Sequence, residues 1–368
     1  MYADPGGVRK PPPPEPLPKA LYQPALNRIG GVFLSITAKE LAALLQLSES
    51  AVSLALNNRP GVSNATRKRV VEAARQHGYD FTRKSAVLTS LRGDICFVLY
   101  RKSGAIVADT PFFSALSEGI SLGCRRARYN CVVRHLFADD EIEEQIYELR
   151  RHSFAGMIVL ATEMQEPDLH YFADIPVPVL FLDAYFDVPM YNFLDINNTQ
   201  GAFSATSHLI RKCRSQPGYL RSNYPISNFS QRADGFYRAI RAGGLSASKS
   251  PVQFLTPSQE GAYEDMKQWL AEGGVPERCY FADNDLIAIG AMEALREAGY
   301  RIPEDVAIVG FDDIPACEYM TPPLTTVAVP KLNMGQTAAS CLIQMIEQGN
   351  LCPFASSVFT RLVRRKSV

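Results

Sequence analysis

Residues 48–63 read SESAVSLALNNRPGVS, and this stretch decides how the N-terminal part of the chain folds. Ser48 is a good helix N-cap, and Ala51, Val52 and Ala55 follow it at helical spacing. Pro60-Gly61 breaks the chain. Ser63 then caps a second helix, whose stripe of Val70, Val71 and Ala74 ends at His77-Gly78. Upstream, Leu41, Leu44 and Leu45 give a first apolar face from Thr37 onward. Three short helices result, the first two joined by a short turn, which is the grammar of a helix-turn-helix. A helix that enters the major groove needs small or polar residues near its N-terminus, and Glu49, Ser50 and Ser53 stand there. Asn57 and Asn58 end it and can donate to base edges or phosphate. Ser63 and Thr66 open the third helix, where hydroxyls and backbone N–H groups can hold phosphate. Spacing alone leaves a plain three-helix bundle with ordinary caps equally open.

Charge sharpens the choice. The chain has 368 residues and a formal net charge of zero, which announces no polyanion partner for the molecule as a whole. Between Thr37 and Arg92, however, nine Lys and Arg stand against four Asp and Glu, so a basic head is joined to a slightly acidic remainder. The eight cysteines form no CxxC pair, which argues against a zinc site or disulfide framework and for a reducing compartment. No apolar run reaches the about 18–20 residues of a membrane span, and the start lacks the layout of a signal peptide. A cytoplasmic protein is expected, with no cofactor and no metal. Residues 1–35 carry Pro11–Pro14, Pro16 and Pro18 and read as a disordered, extended leader or, alternatively, a proline ligand for a partner domain.

From Asp94 onward short apolar runs alternate with amphipathic stretches. Ile95–Tyr100, Met157–Leu160, Val179–Leu182, Cys279–Ala282 and Val306–Gly310 read as buried strands; Phe112–Arg128, Gly201–Arg211, Arg232–Ala242, Leu286–Ala298 and Leu332–Glu347 read as helices. Such alternation predicts parallel sheets with helices on both faces. The stretch is too long for one sheet, so two doubly wound lobes with a cleft between them are expected. Asp285 is expected to cap the helix that starts at Leu286.

The run Ala51–Ser63, with Thr66-Arg67 and Gly78-Tyr79, resembles the headpiece of lactose/galactose-type repressors. The resemblance continues in order through Phe281–Gly290, Val306–Asp313, Pro322–Thr326 and Arg361–Arg365. It implies an all-α headpiece followed by an α/β, two-lobed body of the periplasmic-binding-protein kind. The implied divisions are a leader over 1–35, a headpiece over 36–81, a hinge over 82–92 and a body over 93–368. Within the body, lobe one spans about 93–197 and 327–352, and lobe two about 198–326 and 353–368, with crossings near Asn197, Thr326 and Pro353.

The resemblance further implies a transcriptional regulator, a repressor, that binds near-palindromic operator DNA as a homodimer. A small ligand, a sugar or sugar derivative, would control that binding. Its base readers fall on Glu49, Ser50 and Leu54, with support from Thr37, Ser48, Ser53, Asn57, Ser63 and Thr66. In the hinge, Leu88 would wedge into the minor groove and bend the duplex. Effector contacts fall on Asp183, Arg232, Asn284 and Asp312. Acids and amides can bind vicinal hydroxyls, and arginine adds a donor fork.

Three departures from the family matter. Leu54 stands where several members carry arginine and offers only apolar contact, for instance to a thymine methyl. Gln46 replaces a frequent turn glycine; in the left-handed region it costs roughly a kcal/mol. Thr256-Pro257-Ser258 lacks the aromatic that relatives place against a sugar ring, a role open to Phe112, Phe113, Tyr185, Phe186 or Tyr224.

An α/β enzyme would suit the same alternation, but the chain has no GxGxxG after a strand, no GxxxxGK[ST] and no GxSxG. Its five histidines form no metal-ligand pair at helical spacing. A transporter's solute-binding protein would share the body but has no use for residues 37–92.

Overall fold

The computed structural model describes residues 36–56, 61–77, 79, 91–104, 106–107, 111–349 and 352–368. The chain divides into two compact units, Met1–Thr89 and Ser90–Val368. The expectations for the leader 1–35, for Asn57 and Leu88 and for most of the hinge lie outside the described residues.

The first unit holds helices α1 (Ala38–Leu45), α2 (Glu49–Leu56) and α3 (Asn64–Gln76). Each start is fixed by a hydroxyl. Thr37 and Glu40 form a capping box, the Thr37 N–H donating to the Glu40 carboxylate at 2.8 Å and the Glu40 N–H to Thr37 Oγ1 at 3.2 Å. Ser48 Oγ accepts from Ala51 N–H at 3.2 Å, and Ser63 Oγ from Thr66 N–H at 3.1 Å. Gln46 ends α1 in the left-handed region, at φ 53° and ψ 43°, so the strain anticipated for a non-glycine there is present. Leu41, Ala42, Val52, Ala55, Val70 and Ala74, one or two from each apolar stripe, form the core of the unit. Arg69 on α3 donates to the Leu45 carbonyl at 2.8 Å, placing a cation at the C-terminal end of α1.

The second unit is α/β. Strands β1 (Asp94–Arg101), β2 (Asn130–Phe137), β3 (Phe154–Leu160), β4 (Val179–Leu182) and β5 (Asn192–Ile196) alternate with helices α4 (Pro111–Arg126) and α5 (Ile142–Arg151). Next come α6 (Asn198–Cys213), β6 (Gly218–Ser222), α7 (Ser227–Ala242), β7 (Val252–Leu255), α8 (Gln259–Ala271), β8 (Cys279–Ala282), α9 (Asp285–Glu297) and β9 (Ala307–Val309). The chain closes with α10 (Ala316–Tyr319), β10 (Thr326–Ala328), α11 (Lys331–Gln348), β11 (Ala355–Val358) and β12 (Arg361–Val363).

A six-stranded sheet runs β11-β5-β4-β3-β1-β2 and a four-stranded one β7-β6-β8-β9, every pairing parallel. β10 and β12 form a separate antiparallel pair. The residues alternate as the two-residue period of a strand requires: Ile95 and Phe97 pack into the same core as α4 and α11, while Cys96, Val98 and Tyr100 face that of α5. Helices cover both faces because both faces are apolar, the doubly wound arrangement expected. α4 and α11 cross at backbone distance. A Cβ at Gly335 would stand 2.2 Å from the Leu116 carbonyl oxygen, and one at Gly119 2.2 Å from that of Leu332.

Two expectations are corrected. The resemblance places residues 353–368 in the second lobe, but Ala355–Val358 pairs with β5 in the first sheet, register Ala355↔Phe193 through Val358↔Ile196. The last crossing therefore falls at 359–360, after β11 and before β12 pairs with β10. Asp285 is not the cap of α9. Asn284 is, its Oδ1 accepting from Ile287 N–H at 2.8 Å.

Candidate functional sites

In the first unit α2 presents the residues expected to read bases. Glu49 and Ser50 are exposed on its first turn, Ser53 and Leu54 half-buried one turn on. Ser48 and Ser50 share a hydroxyl contact at 3.0 Å, as do Ser63 and Thr66 at 2.8 Å. The N-terminal ends of α2 and α3 therefore carry hydroxyls beside uncommitted helix N–H groups, which favour phosphate oxygens. Thr37, Ser48 and Ser63 are exposed and Thr66 half-buried. Leu54 lies over Gly61, its Cδ1 3.0 Å from where a Cβ there would stand, so its packing explains why an apolar residue is tolerated at that position.

In the second unit the strand ends line a cavity. Both sheets reverse their strand order, at β1/β3 and at β6/β8, and the crevice beyond the carboxyl ends of such strands is where open α/β sheets take ligands. Asp183, Arg232, Asn284 and Asp312, expected from separate parts of the chain, all line this one cavity. Phe112 and Phe113 line it too, in edge-to-face contact with centroids 5.0 Å apart, and so does Pro257, from the segment that lacks the family aromatic. Tyr185, Phe186 and Tyr224 are not among the lining residues.

The charged groups form a closed network. Arg232, on the first turns of α7, is buried. Its Nε donates to Asn198 Oδ1 at 2.9 Å, Nη1 to the Asp283 carbonyl and Nη2 to Asp312 Oδ1 at 3.3 Å. Its guanidinium lies 3.8 Å over the Phe311 ring centroid. Asp183 follows β4 at φ 63° and accepts from Thr162 Oγ1 at 2.6 Å and from Asn228 Nδ2 at 3.1 Å. Burial, with the nearby Asp195, pushes its carboxyl up to about 7. Burial likewise pushes Asp195 and Asp283 up to about 6, and Asp285 up to about 7. Asp312 sits at φ 111°, a conformation non-glycine residues rarely hold. Burial raises its carboxyl, with Arg232 and Lys331 opposing.

Sequence reasoning missed what holds this site together. Glu163, fully buried after β3, accepts five backbone N–H bonds from the loop after β1. Lys102, Ser103 and Gly104 donate to Oε2 at 2.8, 3.0 and 2.9 Å; Ile106 and Val107 donate to Oε1 at 2.7 and 2.8 Å. Burial works against its charge, yet the N–H groups of Val107, Ile106, Gly104 and Ser103 outweigh it and hold the carboxyl below the usual range. The bond set spans the β1/β3 switch point and fixes Ile106 in the cavity wall. A glutamate inside LATEMQE carries no local sign of this, since its partners lie 56 to 61 residues away. Asp285 is also structural: Thr326 Oγ1 and Ile314 N–H donate to it, the latter at 3.0 Å, tying α9 to the strand returning at β10.

The fold and these two surfaces define a DNA-binding regulator whose head is joined to a ligand-binding α/β domain. Residues 37–80 match the lacI family of bacterial regulatory proteins, and residues 206–368 a periplasmic binding protein-like domain. The chain is 29% identical over 338 residues to the transcriptional regulator GalR of Escherichia coli, covering 90% of this chain and 95% of that one. It is 28% identical over 339 residues to the repressor PurR of Aliivibrio salmonicida, covering 90% and 98%. A lacI-family regulator from Enterococcus faecium, solved with bound ribose, superposes with a TM-score of 0.64 at 27% identity over 74% of this chain and 98% of that one. The chain thus joins a lacI-type helix-turn-helix domain to a periplasmic-binding-protein-like domain. Among the described residues no helix is long and apolar enough to cross a membrane.

Proposed function

We propose that the protein is a cytoplasmic repressor without enzymatic activity. It binds a near-palindromic operator as a homodimer, and a small ligand in the cavity of the second unit sets its operator affinity. Glu49, Ser50 and Leu54 read bases; Thr37, Ser48, Ser53, Asn57, Ser63 and Thr66 support the head on the backbone; Leu88 wedges into the operator centre. Asp183, Arg232, Asn284 and Asp312 contact the ligand. The observation that carries this reading is the convergence of those four residues, drawn from across 130 positions, on one cavity at the strand ends. Dimerisation follows from the small number of contacts one head can make and from the two-fold symmetry of near-palindromic sites. The ribose bound by the Enterococcus faecium relative supports a sugar-like ligand.

The test is selection of bound sequences from a random duplex pool with the purified protein. Recovery of a near-palindrome bound at least about 1,000-fold more tightly than random duplex is expected. Recovery of no shared sequence would overturn the reading.

A further inference from the structure

Two pairs of cysteines stand in thiol–thiol contact among the described residues, Cys213 with Cys279 and Cys124 with Cys131. They occupy matching places in the two sheets. Cys213 is the last residue of α6 and Cys279 the first of β8, and α6 packs along β8. Cys124 lies near the end of α4 and Cys131 at the start of β2, which α4 covers. A helix that returns antiparallel to its strands brings its C-terminal end to their N-terminal ends, so both contacts follow from the winding of the fold. The cavity lies at the carboxyl ends of the strands, and neither pair lines it.

Their surroundings separate the two pairs. Cys279 is fully buried and Cys213 half-buried. Exposed cations flank them: Lys212 precedes Cys213, and Arg278 precedes Cys279, its Nη1 anchored on the Pro303 carbonyl at 2.9 Å. The hydrogen bond from Cys279 holds the Cys213 thiol below its ordinary value; burial opposes, and Arg278 and Lys212 add to the lowering. The same bond, with burial, pushes Cys279 up. One sulfur is therefore favoured as a thiolate and its neighbour keeps the proton. At Cys131 the bond from Cys124 lowers the thiol, burial opposes it, and no cation contributes.

We propose that Cys213 and Cys279 are a peroxide-responsive dithiol that closes into an intramolecular disulfide, Cys213 attacking the oxidant and Cys279 resolving the product. The Cys213 thiolate attacks one oxygen of hydrogen peroxide. An S–O bond forms, the O–O bond breaks, and the departing hydroxide takes up the proton that Cys213 gave up, leaving as water. Cys279 then attacks the sulfenic sulfur. The S–S bond forms, the S–O bond breaks, and the hydroxide leaves with the Cys279 proton as a second water. Two thiols lose two electrons and one peroxide gains them. Cys279 has no exposed surface of its own, so it reacts only through Cys213. In a reducing compartment such a bond is transient and reverses by exchange with a dithiol. While it lasts, it fastens α6, which carries Asn198 at its other end, to β8, which leads into Asn284.

The experiment uses the full, reduced chain at neutral pH. Brief alkylation with iodoacetamide, read by peptide mass spectrometry, gives the labelling rate of each cysteine. Cys213 should label at least about tenfold faster than Cys131, the half-buried member of the other pair. Titration with hydrogen peroxide, then digestion without reductant, should yield a linked Cys213–Cys279 peptide that dithiothreitol separates. Cys279→Ala should instead accumulate a sulfenic acid on Cys213 that dimedone traps, and Cys213→Ala should leave Cys279 a thiol at the same dose. Cys352→Ser removes the exposed cysteine and should leave the linkage unchanged. Labelling of Cys213 no faster than that of Cys131 overturns the proposal. So does oxidation that spares Cys213 and Cys279, or a wild-type Cys213 that is oxidised without linking to Cys279. These readouts on the wild-type chain stand whether or not the variants fold.

Discussion

Replacing Glu163 by glutamine changes one oxygen for an NH2 and removes the charge, with no change in size. The five N–H donors of the 102–107 loop then face one acceptor oxygen and one competing donor. A hydrogen bond to a charged group contributes about 1.5–3 kcal/mol, so two or three lost bonds sum to about 3–9 kcal/mol before relaxation. Water reaching the half-buried loop recovers part of this, leaving about 3 kcal/mol. A domain of this size shifts by roughly 2–4 °C per kcal/mol, so unfolding followed by Trp269 should move down by about 6–12 °C. Trp269 lies on α8 and reports the second unit alone.

The pH dependence has a definite sign. The folded carboxyl lies below its ordinary value, so its contribution is fully present above about pH 5 and is lost as pH falls through the folded value. The gap between wild type and Glu163→Gln should therefore be constant at neutral pH and close on acidification. A shift under about 2 °C, or a gap that widens in acid, would refute the anchoring role.

Asp183 should behave oppositely. Its folded carboxyl is raised to about 7, so the wild-type body should lose stability as pH climbs from about 4 to 7, and Asp183→Asn should flatten that slope in a scan of melting temperature against pH. Gly335→Ala should lower the melting temperature of the body by several degrees, because its Cβ meets the Leu116 carbonyl at 2.2 Å and α4 cannot move away without opening the core; an unchanged melt would mean that the crossing is looser than described. Leu54→Arg should change the preferred operator rather than abolish binding, adding a guanine where the leucine is proposed to make an apolar contact, as a second round of sequence selection would show.

The legible parts of this molecule are those whose signals are local. Ser48 and Ser63 announce their helices, because a cap and an apolar stripe sit within a few residues of each other. The strands β4, buried but for Val179, and β8, buried throughout, coincide with the apolar runs that mark them. β2, β5, β6 and β7 are not marked, because each mixes polar residues among its apolar ones. The strand Ala355–Val358 was assigned to the wrong lobe because its partner lies 162 residues earlier. In the cavity, Asp183, Asn284 and Asp312 follow strands and Arg232 stands on the first turns of α7. Thr162, Asn228, Glu163 and Asn198, which hold those side chains and the cavity wall in place, look ordinary in sequence and owe their roles to contacts between distant loops.

On the proposed function, a ligand in the cavity governs operator affinity. This is tested most directly by titrating a selected operator duplex, with and without a sugar that binds the protein, against wild type, Arg232→Ala and Asp312→Ala. Wild type should change its operator affinity at least tenfold on saturation, about 1.4 kcal/mol of coupling. Both variants should bind operator as wild type does without ligand and show no response at the same ligand concentration. Variants that respond like wild type, or a wild type whose operator affinity is indifferent to a ligand that demonstrably occupies the cavity, would contradict it.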